Sequence, residues 1–587
     1  MEYRMKLQKF LKIVDYIFVE YIPFPKYTYP IINLVYRMLF HWFRQYCLST
    51  SHTVVLDTNY GKVCGLQRKT AYDGELYFAF EGIPYAKPPV GEIRFKAPQP
   101  PEPWQGVLNC TTYRSKPLQR NMVLGFVEGS EDCLHLNIYV KTLVSDKKLP
   151  VIVFIYGGVF QKGEASRDCY SPDYFMNRQV VFITFNHRVG ALGFLSFKDP
   201  KLDIPGNAGL KDQVQALRWI SQNIAHFNGD PNNITLMGLS AGASCVHVMM
   251  NTEQTRGLFH KAILQSGCAL SEWVNYPDFN WALRLAQKMG YKGGEKEADI
   301  FRFLNGISSH QIASNDQDVV TQDEKRNFLV YAFGPVVEPY EAGHCVVPRR
   351  HKDQLSEAWG NRIPVIMGGS SFEGLFCYQM TRDDPWFLRN FHNILPREVS
   401  EPCTEEERNI LVRRIKKHYF GNEEQQAMGL FDVLNICSHR QIWHDMHRLV
   451  LARRTYAPDT PTYLYRFDFD SPHYNLFRWL VCEDDTRGVC HADELSYLFY
   501  TALSTHLDKS SEEYQTIERM VGMWTSFAGT GNPNCREIGD AKWEPLQRME
   551  SGVERCFNIS KELDMRVLPE ADSMAMWDSL YPKGSLF

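Results

Sequence analysis

A chain of 587 residues with a 44% apolar fraction can bury a core of at least domain size. A net charge of −4 and a pI near 6.5, with no long basic run, exclude the electrostatic footprint of a nucleic-acid-binding protein. The 15 cysteines include no C-x-x-C pair, which argues against a zinc ribbon or a thioredoxin-like motif.

Near the N-terminus, Leu7, Phe10, Leu11, Val14, Ile17, Phe18 and Tyr21 recur at helical spacing opposite Lys6, Lys9 and Asp15. Pro23 and Pro25 end that helix. Lys9, Lys12, Asp15 and Glu20 interrupt every apolar run that could serve as a secretory h-region. Pro30 suits the first position of a second helix. Residues 31–48 are apolar and aromatic except for a stripe of Asn33, Arg37, His41, Arg44 and Gln45. As a membrane span this segment would carry two arginines, each costing roughly 2.5–3.5 kcal/mol near the bilayer centre. The expectation is therefore an amphipathic, membrane-seeking arm over residues 1–50, lying in an interface with one apolar and one basic side. The alternative is that both helices dock on the body of the protein. No apolar C-terminal tail suggests a C-terminal or GPI anchor. The location expected is intracellular and peripherally membrane-associated, at the endoplasmic reticulum or a lipid droplet, with secretion as the alternative.

Thr53–Leu56 and Gly61–Gly65 read as short strands around a turn, opening an antiparallel edge. Then come Phe80-Glu-Gly-Ile-Pro-Tyr-Ala, Pro88-Pro-Val-Gly, Arg94-Phe and Pro98, followed by Ser130-Glu-Asp-Cys-Leu-His-Leu-Asn-Ile-Tyr. Together with Asn207-Ala-Gly-Leu-Lys-Asp-Gln and Thr252-Glu-Gln-Thr-Arg-Gly-Leu-Phe, these blocks resemble the type-B carboxylesterase/cholinesterase family, and within it the insect (dipteran) α-esterases. The resemblance runs from about residue 53 to the C-terminus. It implies an α/β-hydrolase fold over 51–587, with a large, mostly parallel central sheet flanked by helices. It also implies a disulfide between Cys110 and Cys133, and the ion pairs Arg94–Glu131 and Arg188–Asp212. For the two cysteines the alternative is a pair of free buried thiols, which an intracellular location would favour.

Val151–Ile155 reads as a buried strand entering Tyr156-Gly157-Gly158-Val159-Phe160, a glycine-rich loop of the kind that supplies oxyanion-hole N–H groups in α/β-hydrolases. Gly158 and Val159 serve through their backbones. Val159 stands where the family usually has glycine or alanine, and its branched Cβ should narrow the cleft beside the reacting carbonyl. Val180–Asn186 and 233–237 supply two more buried strands, and Val214, Leu217, Ile220 and Ile224 recur at helical spacing between them. That rhythm is one of a parallel sheet with crossover helices. The second strand runs into Gly238-Leu239-Ser240-Ala241-Gly242 and then a helix-compatible segment, the context a G-x-S-x-G elbow requires. The turn lifts the Ser240 hydroxyl out of the sheet as a nucleophile. The helix start offers its free N–H groups, that of Ala241 first, to a developing negative charge. The family usually has glutamate before the serine; here Leu239 stands there.

Ile363–Phe376 is a strand leading into a glycine-flanked acid, and Gly368–Gly374 matches the family's G-x-x-x-x-E-G. The resemblance thus implies Glu373 as the triad carboxylate. Gly488-Val-Cys-His491-Ala-Asp-Glu-Leu matches the block of the triad histidine. The order Ser240, Glu373, His491 is the one this fold uses. Glu494, three residues after His491, is positioned in sequence to replace part of the missing charge at Leu239.

His444 and His447 share a helical face near Cys437 and His439, but no acid or cysteine completes a convincing zinc set. Neither a metal nor a cofactor is expected. The loop after Cys110 lacks the tryptophan on which cholinesterases stack a quaternary ammonium group, so choline esters are not expected substrates. The function expected is a serine carboxylesterase that hydrolyses uncharged carboxylic esters, lipid-like or xenobiotic, through an acyl-enzyme intermediate. Its partners would be a small-molecule ester and a membrane or lipid-droplet surface, with no nucleic acid. The alternatives are a slow-turnover esterase that sequesters esters or organophosphates, and a non-catalytic ligand-binding or adhesion member of the fold.

Overall fold

The computed structural model describes residues 41–121, 125–275, 277, 279–326, 328–329, 331–383, 391–421, 429–483, 485–547 and 554–587. The frame of these residues is a 13-stranded sheet. An antiparallel edge is built by β1 (Ser49–Thr58), β2 (Gly61–Lys69) and β3 (Leu76–Pro84), with β4 (Val107–Asn109) pairing alongside β2. A separate small ribbon joins β5 (Gln119–Arg120) to β6 (Val127–Glu128). The main sheet continues through β7 (His135–Val140), β8 (Leu149–Ile155), β9 (Val181–Phe185), β10 (Gly229–Leu239), β11 (Lys261–Gln265), β12 (Val365–Ser370), β13 (Thr462–Phe467), β14 (Arg555–Ile559) and β15 (Leu563–Val567).

Across the sheet the order is β1-β2-β3-β7-β9-β8-β10-β11-β12-β13-β14-β15. From β9 to β14 every neighbouring pair is parallel. β9, β11 and β12 are buried at every position, as strands must be when helices cover both faces of a parallel sheet. The crossover helix between β9 and β10 spans Ala208–Asn223 and ends in a 3₁₀ turn, Ile224–Phe227. It begins six residues before Val214, the first of the periodic residues, because Asn207, in a left-handed conformation, turns the chain into it. This is the α/β-hydrolase architecture that the sequence blocks imply.

Both family ion pairs are present. Arg94 forks onto Glu131 at 2.6 and 2.9 Å and donates onward to the carbonyls of Asn305 and Ile307. Arg188 donates to Asp212 at 2.8 and 2.7 Å. The disulfide expected between Cys110 and Cys133 is not formed; both are free, buried thiols. Cys110 is pinned at the end of β4, its N–H on the Cys64 carbonyl and its own carbonyl on the Glu81 N–H. Cys133 sits instead beside the Arg188–Asp212 pair. Burial pushes the Cys110 thiol up to about 12 and raises Cys133 as well, which keeps both in the unreactive thiol form. The histidines weighed as zinc ligands serve as anchors: His444 and His447 both bond Asp578, and His447 also bonds Glu554.

Of the arm, the helix expected over residues 7–21 and most of the second lie outside the described residues. Residues 41–48 are helical, and they are seated on the body by the polar stripe. His41 and Gln45 are buried. His41 Nε2 lies 3.2 Å from Asp168, Gln45 accepts from the Arg167 guanidinium, and Arg44 donates to the Tyr500 hydroxyl and to the Ala71 carbonyl. The aromatic side faces out, with Trp42 52%, Phe43 39% and Tyr46 77% exposed. The polar side therefore meets protein rather than solvent, because Asp168, Arg167, Tyr500 and the Ala71 carbonyl offer it hydrogen-bond partners. Among the described residues no helix is long and apolar enough to cross a membrane.

Candidate active site

β10, β11 and β12 lie side by side, Leu239 level with Gln265 and Gln265 level with Gly368. The ladder runs one step beyond the strands: Ser240 N–H donates to the Gln265 carbonyl and Ser266 N–H to the Gly368 carbonyl, each at 2.8 Å. This aligns the serine elbow, Ser266 and the turn that carries Glu373 along the C-terminal edge of the sheet, where open α/β sheets bind their ligands.

Ser240 holds φ 57° and ψ −124° at the start of the helix Ala241–Asn251, a backbone state that costs about 1–3 kcal/mol for a non-glycine residue. The flanking glycines make the turn feasible. A Cβ on Gly238 would lie 2.4 Å from the Gly242 backbone, and one on Gly242 would lie 2.1 Å from the Ile155 carbonyl. Strand and helix thus touch through bare backbone, and the side chain between them is forced outward. The glycine-rich loop after β8 passes alongside, so close that a Cβ built on Gly157 would stand 3.0 Å from that of Ser240. Among the described residues, no hydrogen bond uses the N–H of Gly158, Val159 or Ala241. Val159 sits at φ 50°, which is unusual for a β-branched side chain.

Glu373 opens the short helix Glu373–Cys377 and is fully buried. One carboxylate oxygen accepts from the Ser370 N–H and the Ser266 hydroxyl, both at 2.6 Å. The other lies 2.6 Å from His491 Nδ1. His491 reaches it because its segment is tied to the acid turn by the Phe372 N–H on the Val489 carbonyl. Burial alone would lower the imidazole pKa; the Glu373 carboxylate and its hydrogen bond outweigh that and hold it above the ordinary histidine value. The carboxylate also fixes the tautomer, with the proton on Nδ1 and the lone pair on Nε2.

The structure thus brings Glu373 and His491 into direct contact and places Ser240 on the neighbouring elbow. The Ser240 hydroxyl forms no hydrogen bond with His491 among the described residues, so the three side chains are joined at the acid and not at the serine. Such a bond often tightens only with substrate in place.

A family profile described as "Carboxylesterase family" matches residues 52–577. The chain belongs to the carboxylesterase family. Esterase B1 of Culex pipiens is 34% identical over 539 residues, covering 91% of this chain and 99% of that protein. Juvenile hormone esterase of Tribolium castaneum is 31% identical over 545 residues, covering 87% of this chain and 90% of its own. A crystal structure of juvenile hormone esterase from Manduca sexta, with OTFP covalently attached, superposes with a TM-score of 0.79 at 27% identity, covering 90% of this chain and all of that one. The protein is accordingly a serine carboxylesterase of α/β-hydrolase fold, a hydrolase of carboxylic esters.

Three residues that support this carboxylesterase's acid and histidine carried no clear signal in the sequence. Ser266, at φ 55°, and Ser370 clamp Glu373, and Trp443 donates its indole N–H to the Ser370 carbonyl at 3.0 Å. Trp443 ends a π-helical turn, His439–Trp443, a wound-out segment of the kind that often marks functional regions. A Ser-Gly pair directly after a buried strand was the only trace of Ser266 open to sequence reading. Leu239 is buried in an apolar cluster that also holds Val489 and Ala492.

Proposed function

We propose that this carboxylesterase hydrolyses uncharged, lipid-like or xenobiotic esters with Ser240 as nucleophile, His491 as general base and acid, and Glu373 as the orienting carboxylate. The observation that carries the reading is the 2.6 Å bond between Glu373 and His491 on the sheet edge that holds the Ser240 elbow. In this scheme His491 Nε2 takes the hydroxyl proton as Ser240 attacks the ester carbonyl. The N–H groups of Gly158, Val159 and Ala241 receive the oxyanion. The imidazolium, paired with Glu373, then protonates the leaving alcohol, and the neutral ring activates the water that releases the acid. The covalent OTFP adduct on the Manduca sexta relative supports covalent chemistry in this fold. An uncharged substrate is supported by the loop after Cys110, which offers no tryptophan on which a quaternary ammonium group could stack.

A chain-length series of neutral aryl esters, followed with burst kinetics, tests the reading. Turnover of neutral esters with a pre-steady-state burst is expected; preference for choline esters, or hydrolysis without any acyl-enzyme, would refute it. In the same series Val159→Gly is expected to raise kcat/KM for branched acyl groups by about tenfold, since a methylene-sized change in a pocket is worth about 1–3 kcal/mol. An unchanged acyl profile would show that Val159 does not bound the pocket. The left-handed Val159 and the buried Leu239 also favour the slow-turnover, sequestering variant of this function, which the series would reveal as a full burst followed by slow deacylation.

The same proposal covers chain organisation: an arm over 1–50 attached to a catalytic domain over 51–587. The outward Trp42, Phe43 and Tyr46 support peripheral binding to a lipid surface, where aromatic side chains settle at the headgroup level. The compartment proposed with it is intracellular, at the endoplasmic reticulum or a lipid droplet, with secretion as the alternative. Changing Trp42, Phe43 and Tyr46 together to serine is expected to abolish co-sedimentation with phosphatidylcholine vesicles while leaving aryl-ester kcat/KM within about twofold. Undiminished sedimentation of the triple variant would eliminate this face as the lipid contact.

A further inference from the structure

The glycine-rich loop after β8 is held in a backbone state that its own side chains disfavour. Val159 and Phe160, in succession, sit at φ 50° and 63°, the left-handed region that residues with a Cβ keep only when their surroundings impose it. Within the loop, the N–H groups of Gln161 and Lys162 converge on the Gly158 carbonyl at 2.9 and 3.2 Å. From outside, the Gly190 N–H donates to the Phe160 carbonyl at 2.7 Å, and the Phe160 ring packs edge-on against Phe194 with centroids 5.5 Å apart. Gly190 and Phe194 are the two ends of one short helix, so that helix braces the loop.

The start of the helix is fixed in turn by a carboxyl from a distant segment. Asp316 opens the 3₁₀ turn Asp316–Asp318 and is buried. Its Oδ2 accepts from the Ala191 N–H at 3.1 Å, one of the amides that a helix start leaves without an internal partner. The same oxygen fills the space beside Gly190: a Cβ there would stand 2.2 Å from it and 3.9 Å from Gln161 Oε1. Gln161 turns its amide nitrogen to the Phe333 and Val159 carbonyls. Gln161 Oε1 and Asp316 Oδ1 are thereby left as two buried acceptors with no hydrogen-bond partner among the described residues. A proton on the carboxyl turns one of these acceptors into a donor, and burial pushes the Asp316 pKa up to about 7. The charged groups around it are Arg120 on β5 and Asp318 on its own turn, and these pair with each other at 2.8 Å.

We propose that Asp316 is a positioning residue for the oxyanion loop: through the Gly190–Ala191 turn its carboxyl holds Phe160 and Gln161, and so aims the Gly158 and Val159 N–H groups at the reacting carbonyl. The inference rests on the reading of those amides as oxyanion donors. Its effect falls on the transition state, because the donors are engaged fully only when the carbonyl oxygen becomes an anion.

Two substitutions in the full-length enzyme separate this role from simple packing. Asp316→Asn keeps an oxygen for Ala191 and offers an NH₂ in place of the acid proton. Asp316→Leu keeps the bulk and removes both functions. For a neutral aryl ester, kcat per active site, with sites counted by exhaustive labelling with an aryl phosphonate, is expected to fall about 10- to 100-fold in the leucine variant while KM stays within about twofold. Affinity for an aryl trifluoromethyl ketone, which adds to the serine and leaves its oxygen as an anion, should weaken by the same factor as kcat/KM. The asparagine variant should stay within about threefold of wild type in each measurement. Gly190→Ala, whose methyl would displace the Asp316 oxygen, should copy the leucine variant and carries the test if that protein does not fold. A merely structural role would lower the number of labelled sites or the melting temperature and leave per-site kcat alone. A folded Asp316→Leu or Gly190→Ala protein with wild-type per-site kcat and ketone affinity would overturn the proposal, as would an asparagine variant as impaired as the leucine one. Failure of the oxyanion reading itself would look different, since the wild-type enzyme would then bind the trifluoromethyl ketone no more tightly than the matching methyl ketone.

Discussion

Replacing Ser240 with alanine is expected to lower kcat for a neutral aryl ester by about 10⁵- to 10⁶-fold, the scale on which removal of a triad nucleophile acts. The fold should hardly notice. The Ser240 hydroxyl forms no hydrogen bond among the described residues, while the backbone bonds that set the elbow, Ser240 N–H to Gln265 and Ser244 N–H to the Ser240 carbonyl, do not involve the side chain. Alanine also keeps the Cβ that the turn already accommodates at φ 57°. The expected outcome is thus a near-complete loss of turnover at an unchanged melting temperature and an unchanged affinity for a product-like competitive inhibitor. Steady-state assay beside thermal melting decides it. A folded Ser240→Ala protein that retains more than about a hundredth of wild-type kcat would place the nucleophile elsewhere.

Glu373→Gln is expected to cost about 10⁴-fold in kcat, because it imposes the wrong imidazole tautomer. The surrounding donors force this outcome. One oxygen of Glu373 receives the Ser370 N–H and the Ser266 hydroxyl, so the carbonyl oxygen of a glutamine must face them. Its amide NH₂ then points at His491 Nδ1, which has to accept instead of donate. The ring proton moves to Nε2, and the atom that should take the serine proton already carries one. Loss of the carboxylate also removes the charge that holds the His491 pKa above its ordinary value. Both effects weaken the base, and raising the pH repairs neither, because a ring of lowered pKa is already neutral. The rate deficit should therefore persist at pH 9. A variant that matches wild-type kcat on the high-pH plateau, where the ring is neutral in both proteins, would show that Glu373 does not set the tautomer.

Much of this arrangement was legible in the sequence because close packing leaves a residue signature. Gly238 and Gly242 are glycines since strand and helix backbones meet there at distances no Cβ could share, and that necessity fixes the serine between them. Glu373 and His491 were legible only through their family blocks. Composition and periodicity say nothing about two residues more than 100 positions apart that meet through loops. Ser266 and Ser370 escaped assignment because serines at the ends of two strands acquire meaning only when the parallel register of β11 and β12 brings them to one carboxylate. The arm shows the limit of amphipathic reading. Its pattern correctly separates a polar stripe from an aromatic one, but which side meets the protein depends on Asp168, Arg167 and Tyr500, residues with no sequence relation to it. The Cys110–Cys133 disulfide failed for a similar reason. Shared spacing with relatives does not bring two sulfurs together when each is held by its own backbone and ion-pair contacts.

The most direct test of the central claim is covalent labelling of the full-length enzyme with a serine-reactive aryl phosphonate, followed by peptide mass spectrometry. One phosphonyl group on the peptide that contains Ser240 is expected, with labelling lost in Ser240→Ala and strongly slowed in a folded His491→Ala variant. A folded wild-type protein that stays unlabelled, or that carries the adduct on another residue, would contradict the relay of Ser240, His491 and Glu373.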